Sequence, residues 1–196
     1  MGKWMKLSLC AIASLCVMTM MSCATVDTSV SSYAEERGQT SYGEDRAQIE
    51  DLQARYMFAL DFSDPDAYVS TFTEDGILDI IGMKWQGREA IREIFERMPS
   101  EGEENAAAEE AEGPYPATGR HNITNIVVKI DGDTAVGRAY WFHYGNDNPE
   151  RKAVLNSYGY YEDEMVKVNG EWLFSKRVIY NEQMAEWIGS TENPSW

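Results

Sequence analysis

The chain has 196 residues, 17 of them Lys or Arg and 33 Asp or Glu, for a formal charge of −16. So acidic a surface repels phosphate and lacks the clustered cations that displace counterions from a nucleic acid, which sets nucleic-acid binding aside. The length suits one domain, and 43% hydrophobic with 12% aromatic residues is enough to fill a core, so a chain disordered throughout is excluded as well.

Lys3 and Lys6 precede an uncharged apolar run from Leu7 to Met21, followed by Ser22, Cys23 and Ala24. A positive start, a short apolar stretch and small residues at a cut are the layout of a signal peptide over residues 1–22. The run is also shorter than the roughly 20 residues of a membrane span. All three cysteines, Cys10, Cys16 and Cys23, fall in this stretch, so the rest of the chain has no thiol for a disulfide, a zinc cluster or a nucleophile. Export would remove two positive charges and no acid, leaving 15 basic against 33 acidic residues, or −18. Cys23 after Met21 and Ser22 resembles a bacterial lipoprotein box, in which that cysteine becomes the lipidated first residue. Ala24 behind it then implies a periplasmic or outer-membrane lipoprotein that meets the membrane only through this anchor; the alternative is ordinary secretory cleavage nearby.

Residues 23–43 are rich in Ser, Thr and charge without apolar periodicity and read as a tether. Ile49, Leu52, Tyr56, Ala59 and Leu60 then recur at three- and four-residue steps, which predicts a helix from Glu44 to about Phe62. Asp64 before Pro65 predicts an N-cap and a second, short helix carrying Tyr68, Val69 and Phe72. Gly76 and Gly82 bracket an apolar strand, Ile77 to Ile81, and Gly87 precedes a third helix, Arg88 to Met98, with Ile91, Ile94 and Phe95 inward. Residues 100–119 form an acidic insert of low complexity, either a loop or a stray helix. Strands follow: His121 to Ile130, an Asp131, Gly132 turn, Thr134 to Tyr144, a polar loop, Ala153 to Val168, an Asn169, Gly170 turn, and Trp172 to Tyr180. Helices first and antiparallel strands after make an α+β arrangement with helices packed on a bent sheet.

The familiar catalytic signatures are absent: no glycine-rich phosphate loop, no Gly-x-Ser-x-Gly elbow, no His-Glu-x-x-His. Two histidines far apart in sequence are a thin ligand set, so neither a metal nor a cofactor is expected. What remains is proton transfer by His, Asp and Tyr. His121 opens the first long strand and His143 closes the next; pairing around a turn near residue 132 sets 121 against about 143, as cross-strand neighbours with Cβ atoms about 4.5–5.5 Å apart. Such rings either exchange protons near neutral pH or merely satisfy backbone groups. Asp61 stands in a last helical turn, where the macrodipole disfavours an anion by about 0.3–1 kcal/mol. It either fixes the tautomer of a histidine or makes a local link into the Ser63, Asp64, Pro65 turn. Tyr56 lies five residues earlier, about 140° round the helix, and joins the site only if the pocket wraps that helix end. Trp85, Tyr140, Trp141, Phe142, Tyr158 and Tyr160 are either core or cavity lining.

These residues resemble a family. Ala54 to Asp61 followed by Asp64, Tyr68, Phe72, Asp75 and Gly76 looks like the opening of SnoaL-like proteins in the nuclear transport factor 2-like superfamily. So do Gly87, Arg88 and Ile91, the run Arg120 to Asn125, and the closing Tyr161, Asp163, Gly170, Glu171, Trp172 and Phe174. The likeness covers about Arg46 to Tyr180, a domain of residues 44–182 with a tail of 183–196. It implies a cone-shaped fold, a curved antiparallel sheet wrapped on N-terminal helices around a deep apolar pocket. Scytalone dehydratase, a dehydrochlorinase and the bile-acid 7α-dehydratase in this superfamily use an Asp and His pair. The resemblance carries that pair onto Asp61 and His121, with Thr124 and Asn125 in support, adds Tyr56 as an oxyanion donor, and places His143 where scytalone dehydratase has a second histidine. Trp85, Asn125, Tyr140, Asn156 and Tyr158 are the substrate-lining candidates. The implied activity is a cofactor-independent lyase or isomerase of dehydratase type on a small apolar hydroxy or carbonyl compound, in a homodimer. The alternatives are a non-catalytic envelope binding protein, or ring closure or epoxide opening served by Asn156 and Arg177.

Overall fold

Ser41 caps the first helix in a computed structural model that describes residues 41–80, 82–97 and 118–183. The signal segment, Cys23, most of the tether, the acidic insert up to residue 117 and the tail beyond residue 183 lie outside the described residues. Helix α1 runs Tyr42–Asp61, two residues earlier than the apolar pattern predicts. The cause is a capping box: the Glu44 amide donates to Ser41 Oγ (3.3 Å) and the Ser41 amide donates to Glu44 Oε2 (2.7 Å). Its buried face is the predicted one, with Ile49, Leu52 and Tyr56 wholly enclosed and Ala59 nearly so.

Helix α2, Pro65–Ser70, opens as expected on Asp64, whose carboxylate accepts from the Ala67 amide at 2.9 Å. It stops at Thr71, and Phe72 does not ride on it. Phe72 begins strand β1, Phe72–Ile80, because the Thr71 carbonyl accepts from the Phe174 amide (2.9 Å) and draws the chain into the sheet. Strand β2, Met83–Gln86, is unforeseen; it folds back antiparallel on β1. Helix α3, Arg88–Arg97, follows, and Arg88 ties its start to the Phe72 carbonyl through Nε (2.9 Å) and Nη2 (2.6 Å).

Strands β3 (Gly119–Asp131), β4 (Thr134–Gly145), β5 (Val154–Val168) and β6 (Glu171–Asn181) agree with the predicted runs to within two residues at each end. The β5–β6 turn has Asn169 and Gly170 both at positive φ, 53° and 86°, the geometry for which an Asn-Gly pair is suited. The six strands form one curved sheet in the order β2-β1-β6-β5-β4-β3. All neighbours are antiparallel except β1 and β6, which run parallel. Its inner face packs on the helices through Tyr56, Phe72, Leu78, Ile91, Trp172 and Phe174, all at most 1% exposed.

Bulges bend this sheet, and each resets which residues face inward. On β3 the register steps between Thr124 and Val127, and Asn125 sits there at φ 53°. Beyond the bulge Val127 faces Arg138; before it Thr124 faces Tyr140 and His121 faces His143. Inward residues are therefore even-numbered at Ile126, Val128 and Ile130 but odd-numbered at Ile123 and His121. Further steps fall at His143/Tyr144 against β5 and at Glu164/Met165 against β6.

Candidate active site

Asp61 ends α1 and turns toward β3. Its Oδ1 lies 2.7 Å from His121 Nδ1, and the His121 backbone amide donates to Oδ1 (3.0 Å) and Oδ2 (3.1 Å). The two side chains are 5% and 17% exposed, so little water competes for the contact. The local alternative is closed: Asp64 serves the turn and caps α2, leaving Asp61 for the histidine. A carboxylate on Nδ1 makes that nitrogen the donor in the neutral ring, so Nε2 carries the lone pair on the side away from Asp61. Such a ring is built to accept a proton there.

His143 stands directly across the β3–β4 ladder, its ring stacked on His121 with centroids 4.3 Å apart and planes 13° apart. The next inward residue of β4, Trp141, has its ring 6.4 Å from His121 and stacks on Tyr161 of β5 at 6.0 Å. Its indole crosses Gly159 to donate to the Tyr180 carbonyl at 3.0 Å. Gly159 is required here, because a Cβ would lie 1.9 Å from that same carbonyl oxygen.

Tyr56 does not join the pair. It is fully buried, its hydroxyl shares a 2.7 Å hydrogen bond with that of Tyr68, and its ring meets Phe72, Tyr161 and Phe174 edge-on. The helical turn that separates it from Asp61 points it into the core, which corrects the expectation of an oxyanion donor. Burial raises its pKa. Beside it lies a buried polar network with little trace in the sequence. Arg177 makes a two-pronged ion pair with Asp163 (Nε to Oδ1 and Nη2 to Oδ2, both 2.8 Å), and Gln53 donates to Asp163 Oδ2 at 2.7 Å while accepting from Arg177 Nη2. The guanidinium carbon sits 4.0–4.2 Å from the rings of Phe174, Tyr56 and Tyr161. Burial opposes its charge, and the Asp163 carboxylate outweighs burial, so its pKa rises. The alternation of β5 and β6 carries the only sequence signal: Asp163 and Arg177 interrupt otherwise apolar inward runs.

The substrate-lining candidates are corrected by their strand faces. Tyr140 is 48% exposed on the outer side of β4, since it precedes inward Trp141. Tyr158 pairs with Phe142 on that outer side and stacks on it at 6.5 Å. Asn125 is exposed at the β3 bulge and accepts from Thr124 Oγ1 at 3.1 Å. Asn156 is exposed at the β5 register step, with its amide over Gly145, while Arg177 is fully buried. The two are therefore not brought together for ring closure or epoxide opening. Trp85, half-buried on β2 opposite Leu78, packs on the core rather than on the His pair. An open groove of about 500 Å³ lies between the outer flank of α1 and the β5–β6 turn, lined by Asp51, Arg55, Phe58 and Trp172 among others. It contains none of Asp61, His121 and His143. Among the described residues no group of three or more His, Cys, Asp or Glu is placed to hold a metal ion, and no helix is long and apolar enough to cross a membrane.

Comparison with known proteins bears on the family and the fold. The SnoaL-like domain pattern matches residues 41–178. An uncharacterized protein of Mycobacterium tuberculosis is 28% identical over 156 residues, covering 80% of this chain and 93% of its own. A solved structure of a variant of another M. tuberculosis protein, of unknown function, superposes with a TM-score of 0.57 at 26% identity, over 72% of this chain and 73% of that one. An NTF2-like protein with a cystatin-like fold from Novosphingobium aromaticivorans superposes at 0.56 with 21% identity, over 79% and 90%, and bears on the fold alone.

Proposed function

This chain belongs to the SnoaL-like family, whose members include isomerases, cyclases and dehydratases, and from that membership we propose a cofactor-independent lyase or isomerase that moves protons with the Asp61–His121 pair. The observation that carries the reading is the carboxylate on Nδ1, which leaves Nε2 as the base. In the proposed elimination, Nε2 takes a proton from carbon next to a carbonyl, and the C–H electron pair moves toward that carbonyl to give an enolate. The enolate then expels hydroxide from the β-carbon. His143, stacked alongside, gives a proton to the departing hydroxyl, so water leaves and a C=C bond remains. Proton exchange between the two rings through water restores the starting state. The apolar surroundings of Trp141 and Tyr161 favour a small, largely apolar hydroxy or carbonyl compound.

Each general acid or base of this kind supplies roughly 10²–10⁴-fold. His121→Ala and Asp61→Asn are each expected to lower turnover by at least about 100-fold on a panel of small β-hydroxy ketones. Undiminished turnover in both variants would overturn the proton-transfer reading. A wild type that binds these compounds without converting any of them, and binds equally well as His121→Ala, would make the protein a binding module instead.

A further inference from the structure

The groove beside α1, about 500 Å³ in volume, is of a size that holds a small molecule, and none of the His pair lines it. Asp51, Ala54, Arg55 and Phe58 follow one another along its helical side. Ala54 leaves room between larger neighbours. Phe58 is 65% exposed, and Phe62, one turn on, braces its ring at 6.3 Å, so an aromatic surface stands in water at this end. Across the groove Trp172 is 1% exposed and forms floor rather than wall.

Charge decides what such a surface attracts. Arg55 reaches across to Glu171 at 3.0 Å, and those two charges cancel. Asp51 lines the same groove, is exposed, and has no ion pair or hydrogen bond among the described residues. The groove is therefore left with one unneutralised carboxylate, in a chain whose net charge of −16 draws cations and repels anions. Asp51 and Phe58 stand two turns apart on α1, about 10 Å along its axis.

We propose that this groove binds an amphiphilic cation: a primary amine whose ammonium group meets Asp51 and whose aromatic ring, about 10 Å away, lies on Ala54 and Phe58. The site is separate from Asp61 and His121, and the proposal does not depend on their chemistry.

Dansylcadaverine, a fluorescent aromatic sulfonamide on a primary alkylamine, has this form and brightens on leaving water. Titrated into the full chain, it is expected to bind saturably and about three- to fivefold more tightly than its N-acetyl derivative, which keeps the ring and loses the charge. Asp51→Asn is expected to bring the two probes to equal affinity. Phe58→Ala is expected to weaken both by about tenfold. Met83→Ala, which removes a 52% exposed apolar side chain outside the groove, is expected to change neither. Absence of saturable binding, a charge preference that persists in Asp51→Asn, or full affinity in Phe58→Ala would overturn the proposal. An affinity that rises as the protein is diluted would overturn it too, since a second copy of the chain would then be the occupant of the groove. Loss of the probe in His121→Ala would place the probe at the histidine pair, with the same result.

Discussion

Asp61 and Tyr56 lie on one helix and illustrate how a side chain's direction decides its use. An anion in the last turn of α1 opposes the helix dipole by about 0.3–1 kcal/mol, and the three contacts from His121 offset that cost. Asp61→Asn removes the repulsion while retaining an oxygen for the backbone amide, so its unfolding free energy is expected to change by no more than about 1 kcal/mol, even as turnover collapses. Tyr56→Phe is the opposite case. It leaves the buried Tyr68 hydroxyl without its partner, and urea denaturation is expected to show a loss of about 1–3 kcal/mol while turnover per folded molecule stays close to wild type. A result with these two effects exchanged would place Tyr56 in the chemistry and Asp61 in the framework.

At the scale of elements, the sequence was legible wherever period and turn chemistry coincided. The helical stripe of Ile49, Leu52 and Tyr56, the Asp64, Pro65 start and the Asn169, Gly170 turn each contain their own instruction. The Ser41, Glu44 capping box was equally readable and would have set the true start of α1. Less readable were features made by distant partners: β1 beginning at Phe72 because β6 receives it, and Arg177 finding Asp163 and Gln53 across the sheet. Asn125, Tyr140, Asn156 and Tyr158 failed as lining candidates for one reason, that a single bulge or turn fixes the face of every residue beyond it. On β3 the shift from even-numbered Ile126, Val128 and Ile130 to odd-numbered Ile123 was the available sign. Val127 faces Arg138, so the intact chain run on from there without the bulge would set His121 opposite Tyr144, on the outer face. Asn125→Val, whose branched side chain opposes the positive φ of the bulge, is expected to lower turnover with the sheet retained in the circular dichroism spectrum, whereas Asn125→Gly, which accepts positive φ without strain, keeps both.

For the molecule as a whole, stability has an alkaline limit built into the core. Burial, the first cause in each case, raises the pKa values of the Tyr56, Tyr68 and Tyr161 phenols. In the unfolded chain the same groups ionise near pH 10, about the ordinary tyrosine value. Below that both states hold these protons and the contribution is whole. As pH climbs past it the unfolded chain releases protons that the folded one retains, so stability falls. Thermal unfolding is expected to show a midpoint that declines steadily above about pH 10, less steeply in Tyr161→Phe. A midpoint indifferent to pH in that range would mean that water reaches these phenols.

The grip of Asp61 on His121 holds main chain as well as ring, and it does so at the third residue of β3, just beyond the acidic insert. The strand is thereby pinned where it enters the sheet. The imidazole's position is therefore set by the end of the first helix and not by the length of the path between α3 and β3.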